Sequence, residues 1–329
     1  MKRIYLYAGL CAGAALTFAA TAHAETHTFA PKTYYTTYSF AHPPALRIKS
    51  GDRVITKTID AAGVDFEGKT VSPGGNPETG PFYIEGAEPG DSIVVTIEKV
   101  EINRATAWSG SLLAPYAAHP AGIASRTDRE AKRVTWNLDK QKMVATLADA
   151  GIFPDGYALP LRPMLGCIGV APARKEAIAA NTPGNFGGNM DYAHLGAGAK
   201  VTLPVFEPGA LLFLGDGHAR QGEGEVVGSG LETSMDVVFT VELLKKKPVA
   251  WPRLENATHI TVLGSSRNLL EAMQLANTEM QQILMQDYGF TERGAQLVMG
   301  QAGEYEIANV VDPAFTVVAK MRKELLPKP

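Results

Sequence analysis

The segment running from Gly215 through Asp216, Gly217, His218, Ala219, Arg220, Gln221, Gly222, Glu223 and Gly224 to Glu225, with Glu232 close behind, gathers groups that could grip a cation or move a proton. An imidazole and several carboxylates share a glycine-rich turn directly after the apolar run Ala210-Leu211-Leu212-Phe213-Leu214. Neutral imidazole binds metal at ordinary pH, and mixed imidazole and carboxylate donors suit Zn²⁺ or a similar divalent ion. A strand behind such a turn would hold the donors on a rigid edge, and the glycines let the backbone fold tightly around whatever they surround. A solvated acidic hairpin is the competing reading.

Other candidates are scattered along the chain. Asp191 closes Gly188-Asn189-Met190-Asp191, where it could equally be a turn aspartate bonding its own backbone. Glu85 sits between the apolar Phe82-Tyr83-Ile84 and the turn at Pro89. A carboxylate there, close to a metal without ligating it, is expected to serve as general base and acid, with Glu225 as its main competitor. Cys167 has only apolar and glycine neighbours, which raise a thiol pKa, so packing beside the site is expected rather than nucleophilic attack. Gly166, Gly187 and Gly188 could turn N–H groups toward a carbonyl oxygen and form an oxyanion hole. His119 and His194 read as surface or capping residues. No His-Glu-x-x-His helix, nucleotide loop or serine-hydrolase elbow occurs.

Four ordered segments carry a resemblance. "GPFYIEGAEPGD" (Gly80 to Asp91), "GCIGVAP" (Gly166 to Pro172), "GGNMD" (Gly187 to Asp191) and "GDGHARQGEGEV" (Gly215 to Val226) resemble the acetamidase/formamidase family, and the likeness runs from roughly His42 into the C-terminal region. The resemblance implies hydrolysis of short aliphatic amides, such as formamide or acetamide, to a carboxylate and ammonia at a metal site. It makes Asp60 an expected ligand, with Asp65 as the alternative. His218, Asp60 and Glu232 are thus the expected primary ligands, with Asp191 and Asp216 behind them. Zn²⁺ is the expected ion and Ca²⁺ the alternative. The chain departs from the family pattern in Gly222-Glu223-Gly224-Glu225, where the likeness leads one to expect aspartate at 223. The rival function is a non-catalytic, Ca²⁺-stabilised jelly-roll module that binds a ligand on its sheet face.

The elements that must position these residues are mostly strands. Three times a Gly-containing turn opens into an apolar strand: Gly51-Asp52 before Arg53 to Ile59, Pro89-Gly90-Asp91 before Ser92 to Val100, and Pro208-Gly209 before Ala210 to Leu214. In the second, Ile93, Val95 and Ile97 alternate with Val94, Thr96 and Glu98; in the first, Ile55 and Ile59 are expected on one face. The pattern predicts a mainly β fold with α additions (α+β), a β-sandwich or jelly-roll-like core followed by C-terminal helices. One helix is expected over Ser266 to Tyr288, from Leu269, Met273, Ala276, Met280 and Ile283, with Asn268 and Glu271 as a capping box. A second is expected from Thr291 to about Met299. Arg129 to Ala150 reads as a helical interruption of no clear period. A soft boundary near Ala250 divides a β-rich core, residues 25–250, from an α+β part, residues 251–329.

Lys2 and Arg3, an apolar stretch from Ile4 to about Ala20, and Ala22-His23-Ala24 read as an export signal cleaved after Ala24, so a periplasmic or secreted protein is expected with no membrane attachment after cleavage. Of the two cysteines only Cys167 would survive, leaving no internal disulfide. The formal charge of −3, more negative without Lys2 and Arg3, argues against nucleic acid as a partner. Apolar strand edges permit a homo-oligomer.

Overall fold

The computed structural model describes residues 24–124 and 132–328, so the segment expected to be an export signal lies outside the described residues except for Ala24. Its architecture is mostly β-sheet with a few helices. A nine-stranded sheet has the order Thr26–Thr28, Arg53–Lys57, Met235–Leu244, Ser92–Ile102, Lys200–Pro204, Arg253–Glu255, His259–Ser266, Phe315–Arg322 and Glu304–Asn309. A five-stranded sheet has the order Gly187–Asn189, Met164–Gly169, Leu212–His218, Thr79–Ile84 and Leu46–Ile48. Apolar side chains from both sheets share one core, bridged for instance by the edge-to-face pair Phe82 and Phe239, 5.2 Å between centroids.

The alternation in Ser92–Ile102 buries Ile93, Val95 and Ile97, then changes phase to bury Val100 and Ile102. The switch coincides with a bulge against the partner strand between Val238 and Phe239, where one extra residue lets both halves face the core. In Arg53–Lys57 the expectation fails: Val54 and Thr56 face inward while Ile55 lies on the opposite, half-exposed face. Ile59 is buried beyond the strand's end, where the pleat no longer sets direction.

The Arg129 to Ala150 region is β, not helical, over its described part. Val134–Asp139 and Val144–Leu147 form a hairpin joined to Thr106–Ser109. Trp136 and Leu138 are buried at period two, and Met143 at φ 53° completes the turn between the strands.

The two C-terminal helices span Leu269–Gln286 and Glu292–Ala302. Asn268 caps the first by accepting the Leu270 N–H at 2.8 Å, but Glu271 bonds the Ser266 hydroxyl instead of closing the capping box. The buried stripe is Ala272, Ala276, Met280 and Ile283, while Leu269 is 37 % exposed. The stripe is set by the strand beneath. A Cβ on Gly264 would lie 2.3 Å from the Ala272 carbonyl oxygen, so the absent side chain and two alanines let helix and strand approach closely. The strands of this C-terminal part continue the nine-stranded sheet, so residues 251–328 extend the β framework as well as covering it.

Candidate active site

The site is built on the middle of the five-stranded sheet. Leu212–His218 lies between Met164–Gly169 and Thr79–Ile84, pairing Met164 with His218 and Cys167 with Gly215. His218 is wholly buried, with its Nε2 3.0 Å from Glu232 Oε1 and 3.4 Å from Asp216 Oδ1. Glu232 reaches this position because its backbone is held on both sides: its N–H donates to the Trp108 carbonyl at 2.8 Å, and it bridges to His218. One ligand atom each from Asp216, His218 and Glu232 fall within 4.8 Å of one another, as do those of Asp191, His218 and Glu225.

The other imidazole nitrogen settles which atom is free. Gln221 donates its amide N–H to the Asp191 carbonyl (2.5 Å) and the Ala308 carbonyl (3.3 Å), which leaves its Oε1 facing His218 Nδ1 at 2.8 Å. A carbonyl oxygen only accepts, so Nδ1 carries a hydrogen; in the neutral ring Nε2 then keeps its lone pair, turned toward a cation held among the carboxylates. That nitrogen, both oxygens of Asp191, Asp216 Oδ1 and Glu232 Oε2 have no hydrogen-bond donor among the described residues. Buried acceptors pointed at one another are costly unless a positive charge sits between them. The donor set fits a divalent cation.

Backbone geometry shows how closely the site is drawn together. Asn76, Asp191, Asp216 and Glu225 all lie in the left-handed region, at φ 54°, 45°, 51° and 49°. Such conformations cost about 1–2 kcal/mol each for residues with side chains and persist where surrounding structure enforces them. Gly166 is the floor beneath the acids: a Cβ there would lie 2.4 Å from Asp191 Oδ1 and 2.5 Å from Asp216 Oδ2. Gly230 leaves room for the His218 ring in the same way, since its Cβ would come within 2.5 Å of the imidazole.

Electrostatics follow from crowding acids away from water. Burial raises the Asp191 pKa well above the ordinary range, and Asp312 and Asp216 add repulsion. Burial, then Asp191, does the same to Glu225. Burial lifts Glu232 to about 7 even though His218 pulls the other way. Burial opposes charge on His218, yet Glu232 and Asp216 together raise its pKa well above the ordinary imidazole value. A bound cation reverses this logic and favours the ionised acids.

Three expectations need correction. Asp60 is buried, but its carboxylate is taken by Arg104 at 2.6 Å, Trp108 Nε1 at 3.3 Å and the N–H groups of Ala62 and Val64. It braces a loop and lies in neither ligand group; Asp65 likewise caps a turn through the N–H groups of Glu67 and Lys69. Glu85 is exposed on a turn at the wrong end of its strand. The carboxylate at the other end, Glu78, is 0 % exposed, has no hydrogen-bond donor for either oxygen among the described residues, and lies against Gly215, whose Cβ would come within 2.6 Å of its Oε2. Seven residues of extended chain place the two about 20 Å apart. Gly187 gives its N–H to the Gly184 carbonyl at 3.1 Å, which takes that donor from an oxyanion hole, and Gly187 and Gly188 adopt φ 90° and 88° where any Cβ would strike backbone, so close packing accounts for glycine at both positions.

Cys167 lies inside, donating to Asn189 Oδ1 at 2.8 Å. Burial, with Glu78, Asp216 and Asp191 nearby, drives its pKa up and keeps it a thiol. His42 stacks on Tyr35 at 3.9 Å and belongs to a different cluster, while His194 gathers with Glu223 and Glu306. Several site residues escaped sequence reasoning. Asn76 donates to both Asn189 Oδ1 and Asp216 Oδ2 at 3.1 Å, and Asn189 donates to Asp312 at 2.8 Å. Asn309 donates toward the Asn189 and Met190 carbonyls at 3.5 and 3.4 Å, so the C-terminal part closes the site. Asn189 lies within a quoted motif, and Asn76 and Glu78 lie in the Gly- and Pro-rich stretch from Val71 to Pro81, a composition common in loops that frame sites, though neither residue stands out within it; nothing local marks Asp312.

Known proteins share this framework. The solved acetamidase from Yersinia enterocolitica superposes with a TM-score of 0.80 at 33 % identity, covering 92 % of this chain and 93 % of that one. An acetamidase from Bacillus halodurans superposes at 0.77 with 26 % identity, covering 91 % and 98 %. A formamidase from Methylophilus methylotrophus is 29 % identical over 195 residues, 46 % of this chain and 47 % of its own. The chain spans about half the length of the curated relatives it matches. The model of the acetamidase/formamidase family matches residues 41–182 and 173–324. On that match and that superposition together, the chain belongs to the acetamidase/formamidase family.

Proposed function

We propose that this protein hydrolyses a short linear amide, of the formamide or acetamide kind, to a carboxylate and ammonia at the buried cluster around His218. The observation that carries the reading is the convergence of His218 Nε2 with Asp216 and Glu232: that nitrogen, Asp216 Oδ1 and Glu232 Oε2 have no hydrogen-bond partner among the described residues, while Glu232 Oε1, 3.0 Å from the nitrogen, accepts the Gly230 N–H. His218, Asp216 and Glu232 would hold a divalent ion, and Asp191 and Glu225, which form a second group with the same histidine, would be the further ligands; the imidazole favours Zn²⁺ over Ca²⁺. When bound, such an ion polarises a carbonyl and lowers the pKa of water.

The remaining steps belong to the chain. Gln221 keeps the Nδ1 proton in place so that Nε2 faces inward. Burial excludes bulk water and strengthens each electrostatic contact. Glu78 is the proton carrier: in its ionised form it accepts a proton from the attacking water and returns it to the departing nitrogen, and the burial that raises its pKa well above the ordinary value makes that carboxylate a stronger base. Asn76, which donates to Asp216 and Asn189, orients the acids beside it. If the first 24 residues act as the export signal their sequence suggests, the reaction takes place in the periplasm or outside the cell. A non-catalytic Ca²⁺-stabilised jelly roll accounts for the carboxylates but not for an imidazole aimed among them with its second nitrogen fixed.

Metal analysis of the purified protein, paired with ammonia release from formamide and acetamide before and after chelation, tests the reading. Chelation should abolish turnover and a divalent ion should restore it. Undiminished turnover in a preparation verified to be metal-free would sink it.

A further inference from the structure

Glu25, at the start of the described residues beside Ala24, has an unusual setting. Its backbone nitrogen donates to Asp52 Oδ1 at 2.9 Å, and Asp52 is only 3 % exposed. The other oxygen of Asp52 accepts the Lys49 N–H at 2.8 Å and faces His27 Nε2 at 2.9 Å. The Glu25 carbonyl accepts the Arg53 N–H at 2.8 Å, and Thr26–Thr28 then runs parallel to Arg53–Lys57 at the edge of the nine-stranded sheet. The nitrogen that a buried carboxylate holds is therefore the one that follows Ala22-His23-Ala24, the small-x-small pattern of a cleavage site. Pattern and hydrogen bond meet at the same atom, and neither depends on the other.

We propose that processing between Ala24 and Glu25 completes a buried ion pair, the newly freed α-ammonium of Glu25 with Asp52. The step is hydrolysis by a signal-cleaving endopeptidase. The C–N bond breaks, the hydroxyl of water goes to the Ala24 carbonyl carbon, and its hydrogen goes to the Glu25 nitrogen, which is protonated at neutral pH. A neutral amide donor becomes a cation against a desolvated carboxylate, and charge-assisted bonds of this kind are about twice as strong as neutral ones. Besides Asp52, the charged or titratable groups at this corner are His27, the Glu25 side chain and Arg53, whose guanidinium is paired with Glu98 at 2.7 Å. The pair would fasten a three-residue edge strand that otherwise has little to hold it.

The inference rests on the export reading, and two measurements separate their failures. The exported protein should carry Glu25 as its first residue by terminal sequencing; a different first residue overturns the processing. Independently, chains released from an N-terminal fusion so that they begin at Glu25 or at Ala24 are unfolded with denaturant, each with Asp52 and with Asp52→Asn. Retaining Ala24 should raise the unfolding constant about tenfold with Asp52 and leave it unchanged with Asp52→Asn, a coupling equal to about 1.4 kcal/mol. Equal effects in both backgrounds overturn the ion pair. Should Asp52→Asn not fold, ¹⁵N titration of the Glu25 amine decides: it should titrate above the ordinary 7.7–8.0 of an α-amino group, and a value within or below that range overturns the pair.

Discussion

Gly166→Ala puts one methyl group where two carboxylates now rest. Its Cβ would approach Asp191 Oδ1 to 2.4 Å and Asp216 Oδ2 to 2.5 Å, about 1 Å inside ordinary van der Waals contact. Neither acid can retreat cheaply. Asp191 and Asp216 already occupy left-handed backbone at φ 45° and 51°, and Asp216 Oδ2 is held by Asn76 at 3.1 Å. Shifting both by about 1 Å should cost roughly 100-fold in kcat/KM, the usual penalty for such a displacement in a positioned site. Crowding in the core should also destabilise the fold by about 1–3 kcal/mol. Steady-state ammonia release gives the first quantity, denaturant unfolding the second, and metal content of the dialysed protein shows whether the ligands still converge. Wild-type kcat/KM with wild-type metal content would refute the proposal that Asp191 and Asp216 work together over Gly166.

Glu78→Gln keeps the shape of the side chain and removes its proton chemistry, so kcat should fall about 10²–10⁴-fold with metal content intact, whereas Glu85→Ala on its exposed turn should leave kcat unchanged. The reverse pattern would restore Glu85 to the role. Gln221→Leu removes the acceptor that fixes the His218 proton on Nδ1, and competition with a chelator should show metal affinity lowered about 10–100-fold; unchanged affinity would show that Gln221 only packs. Asp52 supplies a pH dependence. Burial works against its charge, yet the N–H groups of Lys49 and Glu25 and the His27 ring hold its pKa below the ordinary 3.8. A depressed pKa contributes stability that is present above the unfolded value and lost as pH falls through the folded one. Denaturant midpoints should therefore drop below about pH 4 in the wild type and less steeply in Asp52→Asn, and parallel curves would remove Asp52 from the acid response.

The part of the site legible in the sequence is the part carried on one continuous piece of chain. Asp216, His218, Glu225 and Glu232 lie on a strand, the turn that leaves it and the segment that returns, so local pattern was enough to group them. Strand Ser92–Ile102 and helix Leu269–Gln286 were legible for a related reason, since each imprints its period and turn residues on adjacent positions; Leu212–His218 was legible only in its apolar first half, because Gly215 to His218, read as a turn, continue the strand. The hairpin over Val134–Asp139 and Val144–Leu147 was not, because the charges before it and in its turn, Lys132, Arg133, Lys140 and Lys142, masked the short alternation of Thr135 and Asn137 with Trp136 and Leu138.

Tertiary structure decided which distant carboxylate faces the cluster. Glu78 and Glu85 bracket the same strand, and nothing in their neighbours tells that one end is buried beneath Gly215 while the other meets solvent. Asp60 was withdrawn from the ligands by Arg104, 44 residues along the chain, and Asp312 was brought toward them by a loop 123 residues from Asn189. An isolated sequence records which groups could bind a cation, because that depends on side-chain chemistry. It does not record which of them a guanidinium has already neutralised, because that depends on sheet order and register, through which residues far apart in the chain come to share one buried space.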